Sequence, residues 1–267
     1  MERWREAWER YHVWLGAALT AVLVLICYGF ALRLPFFFDD LPIMTWLRRH
    51  SWLDIWTTSS DGDFFRPLTF SLYKAGRLFP PGVRQVVLHG TSLFLYWCSS
   101  LLVMQIARLS DRDRAETLVA GSLFVLFPFM STAVPWITAM PHLLVTTLTS
   151  LGVFAALKAE QSQGPGWWWV SLAAMTLAPA AHESGVVCAA MVGGIVVIQR
   201  GLPARRGVLA IILGHLVSVG AVVLRGWVPG VREASFVGLQ DALRNVVFFL
   251  HGLVYPVAPV IGRLVRQ

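Results

Sequence analysis

The residues best suited to chemistry in this sequence are two adjacent carboxylates, Asp39 and Asp40, which follow an apolar triplet at 36–38. They lie near the start of a polar interruption, residues 33–84, in an otherwise apolar chain. In a partly dry site the pKa of a carboxylate can be tuned, so the pair suits a general base acting on a hydroxyl or a metal ligand. The alternative is a helix N-cap, because an Asp before an apolar turn accepts hydrogen bonds from free backbone amides.

Charged side chains at the edges of other apolar runs are the candidates for binding a substrate. Arg66 precedes a proline and either begins a helix or presents the planar fork that matches phosphate oxygens. His89 lies one turn inside an apolar run and is either a core histidine or a site residue. Glu183 follows His182 at the end of another run, where an ionisable residue normally faces a cavity or a partner. Arg232 lies in a later polar loop.

The composition places the chain in a membrane: 56% of its residues are hydrophobic and 14% are charged. Apolar runs of about 18 residues or more suit helices that cross about 30 Å of hydrocarbon. The runs are continuous rather than alternating, which favours helices over a barrel. The basic residues behind the net charge of +7 flank these runs, which argues against nucleic acid and favours lipid headgroups as partners. The expected fold class is an all-α polytopic integral membrane protein.

The spacing of ligand-type residues indicates no cofactor and no metal. The cysteines Cys27, Cys98 and Cys188 lie inside apolar runs and lack partners at metal-ligand spacing, so they are expected to be packing residues. A divalent metal is compatible with the acidic pair, but nothing in the sequence points to one. The chain has no glycine-rich phosphate loop or dinucleotide fingerprint, which argues against a soluble nucleotide-sugar donor.

The apolar runs predict a single transmembrane domain over residues 1–267 with about eight membrane helices. Residues 1–12 predict a cytoplasmic amphipathic helix, and the first span is expected to be an uncleaved anchor because its apolar core is long for a signal peptide. Within the 33–84 loop, the apolar spacing of 41–53 and 63–78 predicts one or two short helices along the membrane surface. The spans are expected near Val13–Leu32, Gln85–Ala107, Thr117–Val134, His142–Leu157, Trp167–Pro179, a run ending at Ile198, Gly207–Leu224 and Asn245–Ile261.

The distribution of arginines predicts the orientation. The loops after the second and sixth spans carry three arginines each, whereas those after the third and fifth carry none. By the positive-inside rule, both chain ends are then cytoplasmic, in a bacterial inner membrane or a plasma membrane. The 33–84 loop, the Pro135–Pro141 turn, the His182–Glu183 pair and a second external loop at 225–244 share the opposite face. Four polar elements on one face indicate a site.

The order of these elements resembles the N-terminal half of the GT-C glycosyltransferases, close to the protein O-mannosyltransferases and their tetratricopeptide-carrying relatives. The resemblance implies a polytopic enzyme that moves a sugar from a polyprenyl-phosphate donor to an acceptor hydroxyl outside the cytoplasm, with inversion. The motifs that carry it are the acidic pair, Phe-Phe-Arg-Pro-Leu at 64–68, the run Gln85–His89, Phe127-Pro128 before Ala133-Val134, and Glu183 after a short span.

The resemblance also implies roles for the site residues. Asp39 would accept the proton of the acceptor hydroxyl, and Asp40 would orient it or share that role. The donor phosphate would be bound by cations and hydrogen-bonding groups around the cavity. The candidates for that binding are Arg66, His89, His182, Glu183 and Arg232.

The chain departs from the family pattern at several positions. Met130 and Thr132 stand where relatives commonly have His and Glu, and His182 replaces a Lys. Relatives commonly continue through further spans, and no tetratricopeptide-type repeat is present. These departures support a second hypothesis, a non-catalytic GT-C-derived subunit of a larger complex with other integral membrane subunits. A transporter is disfavoured because the charges cluster at one face rather than near mid-membrane.

Overall fold

A computed structural model describes residues 2–60, 64–127, 130–162 and 165–228. The chain divides into two units, Met1–Val231 and Arg232–Gln267, and all the described residues belong to the first. The eighth predicted span and most of the 225–244 loop therefore lie outside the described residues.

Every regular element of the described chain is helical, as the composition predicts. Three 3-10 helices, Gly29–Arg33, Ile137–Ala139 and Glu183–Val187, connect or extend the α-helices. The α-helices are α1 Glu2–Tyr28, α2 Asp40–Arg49, α3 Trp52–Thr57, α4 Pro67–Gly76, α5 Pro81–Leu109, α6 Arg114–Val125, α7 Met130–Ala133, α8 Met140–Ser162, α9 Pro165–Ala181, α10 Cys188–Arg200 and α11 Arg205–Arg225.

Five helical stretches are long and apolar enough to cross a membrane, so the described chain has the fold of an all-helical membrane protein. The predicted count of about eight is not confirmed. The third and fifth predicted spans correspond to α6 and α9, which have 12 and 17 residues, or about 18 and 26 Å at a rise of about 1.5 Å per residue. The five stretches are Val13–Arg33, Pro81–Leu109, Ile137–Ser162, Glu183–Arg200 and Arg205–Arg225.

Helix α6 ends inside the bundle, where two tyrosines supply hydrogen bonds that its last turn lacks. The hydroxyl of Tyr96 donates to the carbonyl of Phe124 at 2.6 Å, and that of Tyr28 donates to the carbonyl of Val125 at 3.3 Å. The last carbonyls of a helix have no partner within it, and leaving them unpaired in lipid costs several kcal/mol, order of magnitude. Each tyrosine belongs to a spanning helix, so the pairing holds α6 against α1 and α5.

The polar interruption is largely helical, with three short helices, α2 to α4, where one or two were predicted. Their apolar faces bury Trp46, Leu47 and Phe70 in one cluster. Lys74 donates to the carbonyl of Leu47 at 3.2 Å, and Arg77 donates to the same carbonyl at 2.6 Å. Cations at this carbonyl help to satisfy the end of α2, so the C-terminal end of α4 holds α2 in position.

Small residues let α8, α9 and α10 pack closely in the main core. The hydroxyl of Ser171 donates to the carbonyl of Gly152 at 2.9 Å, and a Cβ on Gly152 would lie 3.1 Å from Val192. Membrane helices associate through such small-residue contacts and interhelical hydrogen bonds, because lipid removes most of the hydrophobic drive between them.

Polar contacts define two ends of the bundle. We call the end that carries the turn between α5 and α6 the Arg112 end. There, Ser110 after α5 forms a hydrogen bond with Gln199 of α10 at 2.8 Å, and Glu160 of α8 accepts from the amide of Ala204 at 3.4 Å. At the opposite Glu183 end, the hydroxyl of Thr69 on α4 donates to the carbonyl of Ala181, at the C-terminus of α9, at 2.8 Å. The spanning helices separate these two ends.

Candidate functional site

The carboxylate of Glu183 lies between two guanidinium groups at one end of the bundle. Arg66 donates through Nε to Oε1 and Oε2 at 3.2 and 3.0 Å, and its Nη2 lies 3.0 Å from Oε2. Arg225 donates through Nη2 to Oε1 at 2.6 Å. Glu183 thus has the cationic partners that its position at a span end predicts.

Three separate helices supply this arrangement. Arg66 is the residue before Pro67 at the start of α4, Glu183 opens the 3-10 helix after α9, and Arg225 ends α11. The side chains of Arg66, Arg225 and Glu183 are 13, 24 and 30% exposed, so the ions are partly shielded from water. The ion pairs therefore hold the start of α4 and the end of α11 to the same turn.

His182 completes the cluster in its neutral form. Its Nδ1 accepts from the amide of Ser184 at 3.1 Å, while Nε2 lies 3.1 Å from Oε2 of Glu183. An accepting Nδ1 places the proton on Nε2, which then donates to the carboxylate. Burial, followed by the charge of Arg66, lowers the pKa of His182 to about 4. The ring of His142 lies against that of His182, with centroids 4.2 Å apart. We call Arg66, His142, His182, Glu183 and Arg225 the Glu183 cluster.

A glycine permits the turn that carries this carboxylate. A Cβ on Gly185 would lie 2.1 Å from the carbonyl oxygen of Ala178 and 2.6 Å from the nitrogen of Pro179. The backbone after Glu183 therefore lies directly against α9. Only glycine fits so close an approach.

The cluster carries a surplus of positive charge. Two guanidinium groups are balanced by one carboxylate, and a neutral imidazole adds no charge, so the net charge is about +1. The guanidinium of Arg66 also lies 4.2 Å from the centroid of the Phe64 ring, a cation–π geometry. The arrangement suits an anion that carries a single charge.

Asp40 is fully buried and bonds backbone groups. Its Oδ1 accepts from the amide of Thr138 at 3.0 Å and its Oδ2 from the amide of Phe37 at 3.1 Å. Burial raises the pKa of Asp40, and the two amides oppose that effect. The carboxylate accepts from backbone amides, but it does not cap α2 as the N-cap alternative expects, because neither amide belongs to α2; it joins the start of α2 to the turn before α8. Both oxygens of Asp40 are engaged in this way, which disfavours the proposed sharing of a proton.

Asp39 is exposed and makes no side-chain capping bond, although it precedes α2. The preceding residue, Phe38, has φ +47° and an 80% exposed side chain. A bulky residue with positive φ is a conformational outlier, and such strain is concentrated at functional sites. At this bend, Asp40 is buried and Asp39 is left accessible.

Tyr73, on the helix that follows Arg66, contacts the turn that Asp40 also binds. Its hydroxyl donates to the carbonyl of Ile137 at 2.6 Å. Burial raises the pKa of Tyr73 well above its ordinary value, the charge of Asp40 adds to the rise, and that of Arg66 opposes it. Helix α4 and the turn at 137–138 thus connect Arg66 of the cluster to the buried acid Asp40. That Asp39 itself lines the same cavity as Glu183 stays a prediction.

Two of the five predicted donor-binding residues are not placed in this cluster. His89 is fully buried on α5, and neither of its ring nitrogens has a hydrogen-bond partner of ordinary geometry in the described chain. Arg232 lies outside the described residues. The sequence interpretation did not select Arg225 and His142, although an ionisable residue at the end of a spanning run is the same signal that selected Glu183.

Within the described ranges, no group of three His, Cys, Asp or Glu residues could hold a metal ion. The cluster itself is rich in guanidinium N–H donors. Neither a family model, a curated protein nor a solved structure matches the chain.

Proposed function

We propose that this protein is a membrane glycosyltransferase-like enzyme that moves a sugar from a polyprenyl-phosphate donor to an acceptor hydroxyl. The observation that carries the proposal is the Glu183 cluster, a partly shielded site with surplus positive charge that α4 connects to the acidic loop. The resemblance of the motif order to the GT-C enzymes supplies the reaction type.

The donor phosphate lies against the two arginines. A phosphodiester carries one negative charge, which complements a net charge of about +1 in the cluster. Each guanidinium has five N–H donors, and Glu183 occupies only some of those of Arg66 and Arg225. Glu183 orients both forks, and their remaining donors bind the phosphate oxygens. Positive charge at this position stabilises the phosphate as it departs.

Asp39 acts as the general base in this proposal. The acceptor oxygen attacks the anomeric carbon, the bond from that carbon to the phosphate oxygen breaks, and the proton of the hydroxyl passes to Asp39. A single displacement inverts the anomeric centre and releases the polyprenyl phosphate. Asp40, with both oxygens bonded to the backbone, supports the loop rather than the proton transfer.

The test is sugar transfer by purified protein in liposomes that contain a panel of polyprenyl-phosphate sugars. Asp39→Asn should lower the rate by about 10²–10⁴-fold, the usual contribution of a general base, without loss of folded protein. Asp111→Asn is the matched control, because Asp111 is exposed at the opposite end and has φ +58°, a conformation that Asn tolerates. Wild-type transfer by Asp39→Asn would refute the role of Asp39.

A second candidate is a non-catalytic subunit of a larger membrane complex, with other integral membrane subunits as partners. The specific observation in its favour is that Glu183 and Asp40 are both fully engaged inside the chain. Ile198 and Leu123 are exposed, whereas Val196 is buried in the core, so Ile198 and Leu123 are the positions to substitute with charged residues. Loss of stoichiometric copurification in these variants, with no transfer by the wild type, would favour the subunit.

For orientation, we propose that both termini are cytoplasmic and that the Glu183 end faces outward, in a bacterial inner membrane or a plasma membrane. The arginine-rich loop at Arg112 supports this orientation. In a cysteine-free background, a cysteine at position 112 should be protected from an impermeant reagent in intact cells, and one at position 49 should react. Labelling of both positions from outside would contradict it.

A further inference from the structure

A groove lies between helices α9 and α11 where both begin, at the Arg112 end of the bundle. Two glycines let the helices touch along a seam: a Cβ on Gly207 would overlap the ring of Trp168, and one on Gly214 would lie 2.9 Å from the sulfur of Met175. The two contacts are seven residues apart on each helix, or about 10 Å at a rise of about 1.5 Å per residue. This seam forms the floor of the groove.

Exposed side chains beside the seam enclose a cavity of about 380 Å³. Leu209 and Leu213 are 51 and 45% exposed, and Trp169 on the facing helix is 68% exposed. The apolar lining residues are Trp168, Trp169, Leu172, Leu209, Ala210 and Leu213. Arg206 is the single charged residue in this lining, as far as the chain is described. The volume is in the range of small-ligand pockets, about 300–1,000 Å³.

Arg206 lies in the first turn of α11, at the start of a spanning stretch, and is exposed. Among the described residues, no acid forms an ion pair with it. Glu160 accepts from the amide of Ala204 at this end and is not part of the lining. Basic residues and exposed tryptophans at the ends of spans lie at the level of the lipid headgroups. The guanidinium group therefore lies at phosphate depth, and the apolar walls extend from it towards the hydrocarbon.

We propose that this groove binds one glycerophospholipid, with the phosphate at Arg206 and one acyl chain along Leu209 and Leu213. The planar guanidinium fork matches phosphate oxygens by its shape as well as its charge, and burial of the chain against the apolar walls adds affinity. A free phosphate would lack the chain, and an apolar partner helix would leave the guanidinium group without an anion. Basic pockets between membrane helices bind lipid headgroups by the same chemistry. The site is separate from the Glu183 cluster, which lies at the opposite ends of α9 and α11.

The first test removes the phosphate contact. It counts the phosphatidylglycerol molecules that the purified full-length protein retains in native mass spectrometry as the lipid is titrated. Arg206→Gln should weaken the tightest retention by about tenfold or more, the usual contribution of a charge-assisted hydrogen bond. Arg205→Gln is the matched control, because Arg205 is the neighbouring exposed arginine and lies outside the lining. It should retain the lipid like the wild type, and an equal loss in both variants would overturn the proposal.

The second test fills the groove. Leu213→Trp should weaken retention by about tenfold, because each methylene group displaced from the apolar wall contributes about fourfold and the larger side chain displaces at least two. Leu216→Trp is the matched control, because Leu216 is 61% exposed on the same helix and lies outside the lining. This control should retain phosphatidylglycerol like the wild type.

Two further ligands separate the phosphate from the chain. Diacylglycerol, which has the chains without the phosphate, should be retained about tenfold less well than phosphatidylglycerol, and inorganic phosphate at equal concentration should not displace the lipid. Equal retention of diacylglycerol, full displacement by phosphate, or unchanged retention in Arg206→Gln and Leu213→Trp would each overturn the proposal. A dimer that retains no lipid and that Leu213→Trp abolishes would also overturn it, because a second copy of the chain would then occupy the groove.

Discussion

Replacing Glu183 with Gln should destabilise the protein by about 2 kcal/mol. The change leaves two guanidinium groups close together without the carboxylate that bridges them. Removing one partner of a buried ion pair costs about 3–5 kcal/mol, and exposed pairs contribute about 0–1 kcal/mol. The side chains here are 13–30% exposed, so the expected loss lies between these ranges. The glutamine amide has nearly the same shape, so the loss reports charge rather than packing.

The assay is reversible unfolding in mixed micelles as detergent denaturant is titrated, followed by tryptophan fluorescence. Asp111→Asn is again the matched control, because Asp111 lies 3.9 Å from Arg200 and is 86% exposed. That ion pair should contribute less than about 1 kcal/mol. A double-mutant cycle of Glu183→Gln with Arg225→Gln should show a coupling energy of about 1–2 kcal/mol.

Two results would refute this reasoning. One is a Glu183→Gln variant as stable as the Asp111→Asn control. The other is an additive cycle, with no coupling between positions 183 and 225. Either would mean that the ions at the Glu183 end do not act as one unit, and the proposal of a preorganised anion site would lose its physical basis.

Three further predictions test the local geometry. Asp40→Asn should lower the free energy of unfolding by about 1–3 kcal/mol, since one buried amide N–H loses its acceptor, whereas Asp39→Asn should change it by less than about 0.5 kcal/mol; chemical denaturation compares them. Gly185→Ala should destabilise by about 1–3 kcal/mol through overpacking, whereas Gly194→Ala, with open space around its Cβ, should be neutral or stabilising; thermal unfolding decides. The lowered pKa of His182 makes the free energy of unfolding depend on pH. The contribution of His182 to that free energy is present above the unfolded pKa of about 6.5 and is lost as the pH falls towards about 4, by up to about 1.4 kcal/mol per pH unit. A pH series of unfolding measurements on His182→Gln should show a flatter slope.

The sequence alone determined the class of fold and the places where charge would matter. Continuous apolar runs specify helices in lipid, because a helix forms all of its backbone hydrogen bonds within one segment. Glu183 and Arg66 were selected for their positions at the edges of such runs, where a charge needs a partner. That reasoning is local, and it gives the same answer whichever helices turn out to be neighbours.

Tertiary structure decided which of these charges meet and which acid is accessible. No spacing in the sequence shows that Arg225, 42 residues from Glu183 along the chain, bonds the same carboxylate, because that contact depends on how α11 packs beside α9. The sequence treats Asp39 and Asp40 alike, yet the positive φ of Phe38 accompanies a bend that buries one and exposes the other. Helix α6 could be predicted as a span by hydropathy, but the hydroxyls of Tyr28 and Tyr96 that satisfy its last carbonyls come from other helices. The apolar pattern of the sequence shows which segments prefer lipid. Which charges and carbonyls are paired depends on the neighbouring helices, and only the folded chain determines those.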